Sequence, residues 1–137
     1  LLLVFLVVHE FGHVFAARLT GGMADDIVIW PLGGLAAVQP GPGLNAALKT
    51  IAAGPLINLA FAALFYPGFY APELLWGVLN PFEVPVSELE TDDWRRSCLL
   101  LAFLANWILF LVNLLPLLPL DGGRMLAAIL TTRMPEE

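Results

Sequence analysis

Two histidines and a glutamate near the start of the chain form a pattern that can bind a metal ion. His9, Glu10 and His13 make the motif H-E-x-x-H inside the apolar segment Leu1–Leu19. If that segment is a helix, the histidines lie on one face, about one turn apart, and can share a zinc ion. Glu10 lies roughly 100° around the helix from His9, close enough to reach a water molecule at the metal. Zinc lowers the pKa of such a water and a carboxylate can take its proton, so the motif predicts attack of water on a carbonyl group.

The side chains around the motif help to decide whether it is a functional site. Between Leu1 and Ala17, the three motif residues are the only strongly polar side chains. Ionisable groups at membrane depth are costly, so their presence in an apolar span indicates a functional site. The alternative is an accidental match on a core helix of a soluble protein, because the five-residue motif alone has low specificity.

Composition favours an integral membrane protein. Hydrophobic residues make up 59% of the 137 residues and charged residues 13%, against roughly 45–50% and about 25% in soluble domains. The mean hydropathy of +0.83 agrees. The length predicts one domain, residues 1–137. The net charge of −6 and the lack of a basic patch argue against a nucleic-acid partner.

Three apolar segments predict three membrane-spanning helices. They are Leu1–Leu19, roughly Leu44–Tyr70 and roughly Ser97–Leu118. About 20 residues cross the hydrocarbon core of a bilayer, so the last two are long enough. The chain begins without Met inside an apolar run, so we expect a fragment, with residues and possible further helices missing. The first segment lacks the basic start of a signal peptide.

The connections between the segments carry weaker signals. Two β-prone runs flank Pro31–Gly34, which predicts a hairpin, with an ordinary loop as the alternative. A strand edge beside the metal could hold an extended peptide. The connection Tyr66–Arg96 is acidic and rich in proline, and we interpret it as a solvated loop. Thr91, Asp92 and Asp93 are candidate caps of the third helix.

A catalytic zinc site needs a third ligand, and Asp121 is the strongest candidate. Pro116 and Pro119 break the third helix just before it, and irregular backbone at membrane depth survives only where protein or a cavity satisfies it. A short helix, Met125–Thr132, follows. Asp25 and Asp26 remain alternatives. The acids of Tyr66–Arg96 follow the second helix and therefore lie at the opposite membrane face.

Asn58 is a polar residue in the middle of the second span. A buried amide needs a hydrogen-bond partner, and helix packing is the ordinary reason for such an asparagine. Gly54 and Pro55, one turn earlier, loosen a helix and let another segment come close. Basic residues predict the orientation: Arg18 and Arg124 lie on the side with more of them, which the positive-inside rule places in the cytoplasm.

Three motifs in this order resemble the site-2 protease family of intramembrane zinc metalloproteases, peptidase family M50. His9–His13 fits H-E-x-G-H, Gly54–Asn58 resembles G-P-x-x-N, and Asn113–Gly123 resembles N-x-x-P-x-x-P-L-D-G-G. Pro31–Gly34 resembles the membrane-associated hairpin of the family. The resemblance covers nearly the whole chain. It implies an all-α membrane protein, with a core of three transmembrane helices and a small membrane-associated β-hairpin.

The resemblance also implies a function: cleavage of transmembrane segments of membrane proteins, with one Zn²⁺ per chain. The implied partners are a membrane-embedded protein substrate and the lipid bilayer, and the implied location is a bacterial cytoplasmic membrane. The implied roles are metal ligation by His9, His13 and Asp121, general base catalysis by Glu10, substrate orientation or oxyanion stabilisation by Asn113, and substrate binding by Asn58, Gly33 and Gly34.

Two other functions remain open from the sequence. Some zinc transporters carry H-E-x-x-H on a membrane helix, although a transport path usually needs more helices and more ligands than this chain offers. A catalytically silent relative that binds membrane proteins is the second alternative, and the intact Glu10 argues against it. Some family members carry a PDZ domain between the second and third core helices. Here only the acidic connection stands at that place, so substrate filtering by such a domain is not expected.

Overall fold

The computed structural model describes residues 1–30, 33–66, 79–80 and 93–133, and of residues 25–30, 33–37 and 133 it describes the backbone alone. Within these residues the chain forms four helices and a two-stranded sheet. In chain order the elements are α1 (Leu2–Leu19), β1 (Met23–Trp30), β2 (Gly33–Gln39), α2 (Leu44–Leu64), α3 (Trp94–Leu114) and α4 (Asp121–Arg133).

Helices α1, α2 and α3 are long and apolar enough to cross a membrane. They have 18, 21 and 21 residues. At about 1.5 Å per residue, such helices cover most or all of a hydrocarbon core roughly 30 Å thick. Large apolar side chains on their outer faces are exposed, among them Phe15, Leu64 and Leu101. Outside a membrane these side chains would meet water, so their exposure fits contact with lipid. The three predicted apolar helices are present, although the second ends at Leu64 instead of near Tyr70 and the third is Trp94–Leu114 instead of roughly Ser97–Leu118.

Helix α2 is the central element, since it contacts α1, α3 and α4. Its contact with α1 is close because Gly12 has no side chain. A Cβ atom at Gly12 would lie 2.6 Å from Ile57 Cδ1 and 3.0 Å from the carbonyl oxygen of Ala53. Pro55 lies inside α2 without ending the helix. The sequence therefore brings the α1 motif directly against the middle of α2.

The predicted hairpin is present. Strands β1 and β2 pair antiparallel, from Met23 opposite Gln39 to Trp30 opposite Gly33, with an irregularity between Ala24 and Ile27. Its base packs on α1, where Val38 joins the buried Val14 and Ala17. The hairpin is therefore attached to the helix that carries the H-E-x-x-H motif.

Helix α3 begins and packs as its residue types dictate. Asp93 caps its first turn and accepts a hydrogen bond from the backbone N–H of Arg95 at 3.1 Å, so the predicted cap is confirmed for Asp93. Thr91 and Asp92, with most of the Tyr66–Arg96 connection, lie outside the described residues. Leu100 and Phe103 of α3 are buried against Ala62 of α2 and form the apolar core at this end of the molecule.

The segment between α3 and α4 folds back onto the first turn of α4. Helix α3 ends at Leu114, and α4 begins at Asp121, four residues before the predicted start at Met125. The two glycines that follow Asp121 make this possible. A Cβ atom on Gly122 would collide with the carbonyl oxygens of Leu114 and Leu115, and one on Gly123 with the backbone of Leu117. The close approach fixes where the Asp121 carboxylate points.

Candidate metal centre

The two histidines of α1 point in the same direction and are almost fully buried. His9 is 2% exposed and His13 is 3% exposed. Their Nε2 atoms are 3.1 Å apart, and the rings stand nearly perpendicular to each other, with centroids 4.8 Å apart. The spacing of four residues on a helix therefore does what the sequence predicts, and brings two imidazole nitrogens to one point.

Asp121 brings a carboxylate to the same point from the far end of the chain. Its Oδ2 atom lies 3.1 Å from His9 Nε2 and 3.2 Å from His13 Nε2. The residue is only 4% exposed. Three electron-pair donors from α1 and α4 thus form a nearly equilateral triangle. Ligands about 2.0–2.2 Å from a tetrahedral zinc ion are separated by comparable distances.

The hydrogen bond of His13 to α2 orients the ring so that its Nε2 atom can bind a metal ion at this point. Its Nδ1 atom lies 2.8 Å from the backbone carbonyl oxygen of Thr50, which can only accept, so Nδ1 carries the proton. In the neutral ring Nε2 then presents a lone pair towards His9 Nε2 and the Asp121 carboxylate. A single proton on His9 Nε2 can bridge one pair of these atoms, whereas a metal ion satisfies all three.

Gly54 leaves the space that the imidazoles occupy. A Cβ atom on Gly54 would lie 2.7 Å from His9 Nε2 and would collide with the Nε2 and Cε1 atoms of His13. The two rings are therefore stacked directly over bare backbone of α2. Any side chain at this position would push the donor nitrogens out of their present arrangement.

One stripe of α2 backs the whole centre. Thr50, Gly54 and Asn58 are spaced by four residues and are all buried. Thr50 contacts His13, Gly54 lies under both rings, and the side-chain nitrogen of Asn58 lies 2.9 Å from His9 Nδ1. Sequence reasoning missed Thr50. The matching four-residue spacing of His9–His13 and Thr50–Gly54–Asn58 was the signal that could have found it.

Both oxygens of Asp121 are engaged. Oδ2 faces the two histidines, and Oδ1 lies 3.4 Å from an Nη atom of Arg124, one turn along α4. Burial alone would raise the pKa of Asp121, but hydrogen bonds from the protonated forms of His13 and His9 outweigh that effect and hold the pKa well below its usual range. The group is therefore a carboxylate at neutral pH, which is the form that binds metals.

Glu10 is the second carboxylate at the centre. It is 5% exposed, and it offers an oxygen within 4.8 Å of a ring nitrogen of His9 and of His13. The three residues of the H-E-x-x-H motif thus form a possible metal site on their own, and Asp121 adds a further oxygen 3.1 and 3.2 Å from the Nε2 atoms of His9 and His13. Two buried carboxylates are therefore available at the centre.

For the other predicted site residues the structure gives contacts within their own helix or hairpin. Asn113 is half-buried near the end of α3, and its amide donates a 2.9 Å hydrogen bond to the carbonyl oxygen of Leu109 in its own helix. Gly33 and Gly34 begin β2, paired with Trp30 and Ile29 of β1. Their part in substrate binding therefore stays a prediction.

Comparison with proteins of known sequence gives the same family along the whole chain. Residues 1–137 match peptidase family M50. Zinc metalloprotease Rip3 of Mycobacterium tuberculosis is 34% identical over 134 residues, which make up 97% of this chain and 30% of that protein. Stage IV sporulation protein FB of Bacillus subtilis is 32% identical over 138 residues, which make up 98% of this chain and 40% of that protein. The chain thus spans about a third of the length of its curated relatives.

The solved structure of a site-2 protease from Methanocaldococcus jannaschii has the same fold. It aligns with a TM-score of 0.63 and 28% sequence identity, covering 96% of this chain and 53% of that one. The helical core and its small hairpin are therefore a site-2 protease fold, and the three apolar helices make the chain part of an integral membrane protein. By its sequence along all 137 residues and by its fold, the chain belongs to peptidase family M50.

Proposed function

We propose that this chain is the membrane-embedded catalytic core of a zinc-dependent endopeptidase that cleaves transmembrane segments of other proteins. The observation that carries the proposal is the convergence of two buried imidazole nitrogens and one buried carboxylate oxygen within 3.2 Å of one another. The names of the family and of relatives described as zinc metalloproteases support the choice of metal and of reaction.

His9, His13 and Asp121 are the proposed ligands of one Zn²⁺ ion. Their donor atoms have the separations that neighbouring zinc ligands need, and Gly54 keeps the space beside them clear. Three protein ligands leave a fourth position open, as catalytic zinc sites require. When bound there, zinc lowers the pKa of water and polarises a carbonyl group.

Glu10 is the proposed general base. It lies one residue from His9 on the same helix and within 4.8 Å of a ring nitrogen of each histidine, so its carboxylate can reach a water molecule beside the ligands. The carboxylate takes a proton from the attacking water and returns it to the departing amine. Asn113 is the proposed donor to the carbonyl oxygen of the substrate, a role open to the second N–H group of its amide because the first is bonded to the carbonyl oxygen of Leu109.

The depth of the centre supports a substrate within the membrane. His9 lies seven residues after the start of α1 and His13 six residues before its end, which corresponds to about 10 Å and about 9 Å along the helix axis. A peptide bond must come to this depth to be cleaved. The edge of the hairpin, starting at Gly33 and Gly34, is the proposed place where a locally unwound segment pairs as a strand.

The test is cleavage of a model transmembrane peptide in liposomes by wild type and by Glu10→Gln, with bound zinc assayed in both. The expected result is loss of cleavage, by at least about 100-fold, with zinc retained, because general base catalysis typically contributes 10²–10⁴-fold. Cleavage by Glu10→Gln at the wild-type rate would exclude Glu10 as the base. A wild type that binds no zinc would contradict the proposed enzyme. Zinc flux into vesicles without cleavage would instead indicate a transporter.

A further inference from the structure

We propose that Asn58 is a positioning residue for the zinc ligand His9, and that its amide oxygen accepts a hydrogen bond from the Nδ1–H group of His9. This inference rests on the proposed zinc site and deepens it. It also differs from the role in substrate binding that the family resemblance implies for Asn58. The starting observation is that the Asn58 amide lies 2.9 Å from His9 Nδ1, on the side of the ring opposite to the metal centre.

The protonation state of His9 decides which amide atom must face it. If Nε2 of His9 binds zinc, Nε2 has no proton and Nδ1 of the neutral ring carries it. Nδ1 then needs an acceptor. Oxygen and nitrogen of an asparagine amide have nearly the same shape, so a rotation of the amide by about 180° presents the oxygen instead of the nitrogen. The Asn58 Oδ1 atom is buried and has no other hydrogen-bond partner, so it is available for this contact.

Burial separates Asn58 from a substrate. The residue is 0% exposed, enclosed between α2 and α1, and its amide already touches a ligand ring. Contact with a substrate strand would require the amide to leave His9. A residue that holds the ring in place needs no such movement.

In each of the three proposed ligands, the nitrogen or oxygen atom that does not face the metal contacts one other residue. Thr50 accepts a hydrogen bond from His13 with its backbone oxygen, which a change of side chain cannot remove. Arg124 serves Asp121, but its side chain is 37% exposed and therefore partly screened by solvent. Asn58 is the buried side chain among the three, so its removal tests directly whether these contacts matter for the metal.

The experiment measures metal binding by the protein in detergent, using Co²⁺ absorption and chelator competition for Zn²⁺. Asn58→Leu, of similar size, removes the acceptor and is expected to weaken zinc binding about 10–100-fold and to alter the Co²⁺ spectrum. Asn58→Asp keeps an acceptor oxygen and is expected to restore most of the affinity. Asn106→Leu is the matched control. Asn106 is also 0% exposed with an unpaired Oδ1 atom, but its amide bonds to the carbonyl oxygen of Ala102 in its own helix.

A second measurement needs no variant. The chain contains only two histidines, so a sample labelled with ¹⁵N-histidine and loaded with ¹¹³Cd²⁺ gives a simple spectrum. Coupling of the metal to Nε2 of both rings, with a proton on Nδ1 of both, is the expected result. Coupling of His9 through Nδ1 would overturn the assignment of Asn58, whichever way the variants behave.

The outcomes separate this inference from the proposed function. Wild-type metal affinity and Co²⁺ spectrum in Asn58→Leu, together with slower cleavage, would overturn the positioning role and favour contact with the substrate. Equal weakening by Asn58→Leu and Asn106→Leu would also overturn it, because any buried asparagine would then have the same effect. Absence of metal binding in wild type would contradict the proposed function itself.

Discussion

At the scale of single residues, the centre is formed by side chains that are spaced four residues apart on both α1 and α2. Histidines four residues apart on α1 meet a stripe of α2 in which every fourth residue is small or polar, and Gly54 lies at its middle. Glycine costs about 1 kcal/mol in a helix relative to alanine. That cost is accepted here because no other residue leaves room for both imidazole rings.

Replacing Gly54 by alanine is expected to weaken binding of the proposed zinc ion and to leave the helices in place. The new methyl group would occupy the space of the His13 ring and lie 2.7 Å from His9 Nε2, so both donor atoms must move. A displacement of this size is expected to lower zinc affinity by at least about 10-fold, comparable to the loss of an outer contact. Zinc content and far-ultraviolet circular dichroism measure the two effects. Leu56→Ala, at an exposed position two residues along α2, is the control.

At the scale of elements, the sequence predicted which segments exist better than where they end. Apolar length predicted the three spans, and turn residues around Pro31 predicted the hairpin. The start of α4 was missed, because Gly122 and Gly123 suggest a break when only local propensity is considered. They are helical because the loop after α3 packs against them. Contacts distant in sequence decided this boundary, and no local pattern contains them.

The same limit applies to the centre. The motif and the break before Asp121 predicted which residues would come together, and the structure brings them together, while their role as ligands stays a prediction. Thr50 contributes a backbone oxygen, which every residue type has, so its residue type gave no signal and only its spacing from Gly54 and Asn58 could have indicated it. Arg124 was considered only for its charge, and its contact with Asp121 depends on where α4 begins.

The hairpin provides the prediction at this scale. In an antiparallel pair, N–H groups of successive residues point alternately to the partner strand and to the open edge. Of Leu35→Pro and Ala36→Pro, one therefore removes a bond to β1 and the other removes a donor from the edge. If the edge holds the substrate, both are expected to slow cleavage of a transmembrane peptide while zinc content stays at the wild-type level. Unchanged turnover in both would exclude strand pairing.

At the scale of the whole molecule, three spans determine which ends share a side of the membrane. The end of α1 and the start of α4 lie on one side, and the start of α3 lies on the other. One side then carries Arg18, Lys49, Arg124 and Arg133, and the opposite side carries Arg95 and Arg96. The proposed orientation, with Arg18 and Arg124 in the cytoplasm, follows from this distribution and the positive-inside rule.

Labelling of single cysteines with a membrane-impermeant maleimide tests both the number of spans and the orientation in the membrane. Cys98 is the only cysteine of the chain, so Cys98→Ser gives a background without thiols. In that background, Trp94→Cys at the start of α3 and Thr132→Cys near the end of α4 place one thiol at exposed positions on opposite sides. Trp94→Cys is expected to react in right-side-out membrane vesicles, and Thr132→Cys only in inverted vesicles. Reaction of both from one side would contradict three spans. Exchange of the two results would keep the three spans and reverse the orientation, which would place the metal centre's Asp121 end outside the cytoplasm.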